Sequence, residues 1–136
     1  MLMPVLLDVL HSTRLVMVTI NGVVRLSDME DYLEKVMSPA TMSYHKLVDL
    51  TDSSLALSQQ DLAVLAERVR DYASSGPMGA LAVVVASDET EQQIRQFGSL
   101  SGAERPWKIF RMSQPARDWL ASQPMVAPRD WLERRA

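Results

Sequence analysis

Two apolar, β-branched-rich runs open the chain, Val5 to Leu10 and Leu15 to Ile20, with His11-Ser12-Thr13-Arg14 between them. Runs of that length around a polar break predict an antiparallel hairpin. Asn21-Gly22 offers a rival turn, but Val23-Val24-Arg25 is too short a partner strand, so Gly22 reads as a strand exit. Ser27-Asp28-Met29-Glu30 then has the form of a capping box, with the Ser hydroxyl and the Glu carboxylate satisfying backbone donors at a helix start. Met29, Tyr32, Leu33, Val36 and Met37 follow at helical spacing until Ser38-Pro39, which leaves Asp28, Asp31, Glu34 and Lys35 on a wet face.

Beyond that stop the period changes twice more. Lys46 to Asp49 predicts a short strand, Leu50-Thr51-Asp52-Ser53-Ser54 a polar loop, and Ser58 the cap of a helix whose buried stripe is Leu62, Leu65, Ala66, Val69 and Ala73. Ala80 to Ala86 is a continuous apolar run, the mark of a central parallel strand buried on both faces. Ser87 or Asp88 caps a third helix running to about Leu100 with Ile94 and Phe97 inward. Trp107 to Phe110 alternates as a peripheral strand, and Ser113 caps a last helix that buries Ala116, Trp119 and Leu120 before Pro124. The order predicts an α/β fold: a mixed five-stranded sheet, with an N-terminal antiparallel hairpin followed by parallel strands, covered by about four helices. The domain is expected over residues 1–123, with 124–136 as a C-terminal tail.

Composition narrows the chemistry. The 136 residues suit one hydrophobic core, and 14 basic against 17 acidic residues give a net charge of −3 with no basic face for nucleic acid. No cysteine is present, which excludes disulfides, thiolate metal sites and cysteine nucleophiles. The N-terminus has no basic region before its apolar stretch, and the longest apolar run falls far short of the roughly 20 residues of a membrane span, so a soluble, cytoplasmic protein is expected. Nine methionines read either as an adaptable binding surface or as flexible core filling, and Met17, Met29 and Met37 on predicted core faces favour the second.

The segments Leu47 to Thr51, Ala80 to Ala86, Lys108 to Arg111 and Pro115 to Leu120 together resemble the SpoIIAA-like proteins. That resemblance, over roughly Val5 to Ser122, implies the STAS-like fold of bacterial anti-sigma-factor antagonists and a layout shared with the SEC14-like lipid carriers. In the antagonists an Asp-Ser-Ser-Gly stretch opens a helix and one serine is phosphorylated, and Asp52-Ser53-Ser54 looks similar. Here Leu55 stands in place of the Gly, and three residues intervene before the cap at Ser58.

Few polar groups converge. His11 and His45 lack metal-ligand spacing, and no Walker loop, dinucleotide fingerprint or nucleophile elbow is present, so no enzyme activity, cofactor or metal is expected. Asp49 and Asp52 at a strand end, with Asp88 and Glu89 beyond the next strand, suit either a cation or general-base site or ordinary caps and loop solvation. Arg95, Arg105, Lys108, Arg111 and Arg117 with Trp107 either gather into a patch for an acidic partner or lie as scattered solvated charges. Arg117-Asp118-Trp119-Leu120 recurs as Arg129-Asp130-Trp131-Leu132, which leaves Trp131 and Leu132 to pack on their own domain or to mediate self-association or partner docking. The leading expectation is a non-catalytic regulatory or protein-interaction domain. A small apolar or lipid-like ligand-binding module is the alternative, and an enzyme using the strand-end carboxylates is third.

Overall fold

The computed structural model describes residues 5–38, 40–74, 76–101 and 105–125. β1 (Val5–Leu10) and β2 (Leu15–Ile20) form the hairpin, in register from Val5 opposite Ile20 to Leu10 opposite Leu15. Arg14 closes its turn in the left-handed region at φ 54°. Three strands then join parallel: β4 (His45–Asp49) beside β2, β6 (Leu81–Val84) beside β4, and β7 (Trp107–Phe110) at the edge. The sheet order is β1-β2-β4-β6-β7, the mixed five-stranded sheet read from the sequence.

Each parallel strand is added on the same side of the last, so crossovers of one hand put their helices on one face. These are α1 (Leu26–Val36), α2 (Gln59–Ala73) and α3 (Asp88–Ser101). They enclose the main core with Val16, Val18, Ile20, Val48 and Val83 of the sheet. The fourth helix, α4 (Ser113–Ser122), follows β7 and lies on the opposite face, where Ala116 and Leu120 pack on Leu47, Ala82 and Val84. No described helix is long and apolar enough to cross a membrane.

Three local readings are corrected. Gly22 is not merely an exit, because β3 (Gly22–Val24) pairs in parallel with β5 (Ser53–Leu55), which had read as loop. β2 and β4 are neighbours, so their outgoing chains run side by side, and Gly22 N–H donates to Asp52 O at 3.0 Å while Ala56 N–H donates to Val24 O at 2.8 Å. Gly22 sits at φ 80°, which glycine adopts without steric penalty. The start of α1 is earlier than Ser27: the chain leaves β3 at Val24, Arg25 is the cap position, and Asp28 accepts from its N–H at 2.9 Å. Ser113 is the first residue of α4 rather than its cap, since Met112 before it holds extended backbone (φ −135°, ψ 145°) and takes the cap position. The cap at Ser58 is as read, with Ser58 Oγ accepting from Asp61 N–H and Asp61 Oδ2 from Ser58 N–H, both at 3.0 Å.

Candidate functional site

The strand-end residues fold the chain rather than face a common point. Asp49 Oδ1 accepts from Thr51 N–H at 2.9 Å and from Thr51 Oγ1–H at 2.6 Å, which closes the turn after β4. Ser53 Oγ–H donates to Leu50 O at 2.9 Å, and Asp52 and Ser54 are exposed on β5 and its approach. The serines therefore stand on a short strand, not at the positive end of a helix. Asp88 is taken by Arg111 at 2.5 Å, across from α3 to the end of β7. Among the described residues no group of three or more His, Asp or Glu side chains is placed to hold a metal ion.

The basic residues do not form one patch. Arg111 bridges Asp88 and Glu91, and Arg95 also pairs with Glu91, whose carboxyl both hold below its ordinary pKa. Lys108 lies over the Phe110 ring at 5.5 Å. Arg105 turns inward. Alternation along β7 puts Trp107 and Ile109 on the face beneath the three helices, and Arg105, two positions earlier, continues that face. Trp107 is correspondingly half-buried against α3, where Gly98 makes room for its indole: a Cβ at Gly98 would stand 2.4 Å from the ring. Trp131 and Leu132 lie outside the described residues.

Between the sheet and α1, α2 and α3 is a cavity of about 90 Å³. Val48, Leu50, Leu81 and Val83 form its floor, and its walls include Met29 and Met37 of α1, Leu65 of α2 and Phe97 of α3. Four polar residues line it: Tyr32, Ser101, Arg105 and Trp107. Ser101 Oγ–H is engaged with Gly98 O at 3.1 Å. Burial raises the Tyr32 phenol to about 12, against the opposing influence of Arg105, so it stays protonated at neutral pH. Arg105 Nε–H donates to Gly79 O at 2.7 Å, and its enclosed Nη2 has no hydrogen-bond partner. Burial lowers this guanidinium to about 10, which leaves it charged at neutral pH.

The sequence reading placed Arg105 with surface cations and did not foresee the cavity. The signal was present in the two-residue period Arg105, Trp107, Ile109. It was obscured because Pro106 and the loop before it read as solvent-exposed punctuation.

No family model and no curated protein matches the sequence. Among solved structures, the chain is similar to an uncharacterized protein of the DUF3478 family from Shewanella loihica PV-4, described as having a SpoIIAA-like fold. The match covers 85% of this chain and 91% of that one, at 16% identity and a TM-score of 0.56. At that identity the likeness speaks for architecture alone. With the hairpin, the three parallel strands and four helices, the chain has a SpoIIAA-like fold.

Proposed function

We propose that this domain is a non-catalytic binding module that takes a small, largely apolar molecule between its sheet and α1–α3. The cavity carries the reading: a space walled by Leu, Val, Phe and flexible Met side chains, with very few polar groups to fix orientation, has the lining of a small-molecule site on a smaller scale. The absence of catalysis in this reading is supported by how the candidate acids are used. Asp49 closes a turn and Asp88 is paired with Arg111, so neither is presented to a substrate together with a base.

Native mass spectrometry of the purified protein tests the proposal. A discrete bound mass of a few hundred daltons or less, lost on denaturation, is the expected result. A bare chain that is also not stabilised by any of a panel of short apolar compounds would overturn it. The regulatory, protein-interaction reading has the exposed Ser54 of β5 and the Trp131-Leu132 pair under it. Truncation after Pro124 followed by light scattering tests the tail's part, and an unchanged oligomeric state removes self-association through it.

A further inference from the structure

A guanidinium differs from other buried cations in one respect: it cannot shed its proton to become neutral at ordinary pH. Arg105 is partly buried and tied to Gly79 O, and its Nη2 is left enclosed with nothing to donate to. Among the described residues the groups that feel its charge are Tyr32, His45 and Lys46, and none of them is a carboxylate. Lys46 is itself fully buried, with its Nζ hydrogens donated to Thr41 O, Met42 O and Tyr44 O at 3.1, 2.9 and 2.9 Å. Burial lowers Lys46 well below its ordinary pKa, so the lasting charge at the cavity wall is that of Arg105, and no carboxylate among the described residues is placed against it. Removing a charge from water without a counter-ion is among the most unfavourable arrangements in a protein.

We propose that the cavity's ligand is an anion, a short-chain or branched carboxylate, whose head group completes the hydrogen bonding of Arg105 and whose apolar tail lies against Met29, Met37 and Phe97. This rests on the reading of the cavity as a ligand site. One cation balances one negative charge, so a monoanionic carboxylate leaves the apolar chamber neutral, whereas a phosphate dianion would leave net charge among Leu and Val side chains. The protonated phenol of Tyr32, in the same cavity and electrostatically coupled to Arg105, is a neutral donor suited to the second carboxylate oxygen. A volume of about 90 Å³ is roughly three water volumes, which limits the tail to a few carbons unless the methionines move.

The test uses the full chain and two matched probes, butanoate and butanamide, which share shape and differ in charge. Titration calorimetry is expected to show butanoate binding at least tenfold more tightly than butanamide. Arg105→Gln is expected to lose that preference while keeping its affinity for the amide. Equal binding of the two probes by the unchanged chain overturns the anion and leaves the apolar site standing. Binding of neither overturns both. Should Arg105→Gln not fold, the comparison on the unchanged chain decides by itself.

Discussion

The imidazole of His45 joins two backbone groups that are distant in sequence. Its Nδ1 accepts from Ala80 N–H at 3.0 Å, just ahead of β6, so the proton sits on Nε2, which donates to Gln123 O at 3.2 Å at the end of α4. Protonation of Nδ1 would turn that acceptor into a second donor facing Ala80 N–H. Burial, with the positive charges of Lys46, Arg105 and Arg14, holds His45 below its ordinary value of 6.5, against the pull of Gln123 O. The folded state thus binds the proton less well than the unfolded one, and stability present above about pH 6.5 is lost as pH falls through and below that value. Urea unfolding between pH 7.5 and 5 should show this as a slope of at most about 1.4 kcal/mol per pH unit from this one proton, abolished in His45→Gln. Nothing in the sequence foretells this role. A histidine flanked by Tyr44 and Lys46 at a strand start looks the same whether it faces water or a helix end, and only the later arrival of Gln123 distinguishes the two.

At the scale of elements, length decided what was legible. The six-residue strands of the hairpin, the helical stripes and the apolar run through β6 repeat their pattern often enough to be read directly. β3 and β5 have three residues each, too few for a period, and they exist because neighbouring β2 and β4 send their chains out side by side. Caps divide in the same way. Ser58, Ser27 and Ser113 are alike as residues, but only Ser58 accepts a hydrogen bond from the backbone of its helix. Ser58→Ala is expected to destabilise by about 1 kcal/mol, whereas Ser27→Ala and Ser113→Ala should each stay within about 0.5 kcal/mol. A thermal-denaturation series on the three variants checks this, and equal losses at all three positions would contradict the observed helix starts.

Across the whole molecule the two faces of the sheet are unequally covered. Among the described residues three helices occupy one face, and α4 alone lies over β4, β6 and β7 on the other, with Trp119 against Phe110 at 5.8 Å. The outer part of that second face, on β1, leaves Leu6 56% exposed. Fold class was readable because element order and crossover direction leave few topologies open. The cavity was not, since a cavity is a shortage of atoms between elements and no single residue encodes it. The late position of α4 also orders events during synthesis. A chain that has grown only to Met112 already contains every strand of the sheet and the three helices of one face, while Leu47, Ala82 and Val84 still lack the cover that Ala116 and Leu120 provide. A protein ending at 112 should therefore bind a dye such as ANS and lose its cooperative thermal transition, with sheet and helix still present in the far-ultraviolet spectrum. A cooperative, dye-silent product would show that α4 is dispensable. For the growing chain the consequence is a wait: the surface of Leu47, Ala82 and Val84 stays adhesive until the ten residues of α4 have cleared the ribosome.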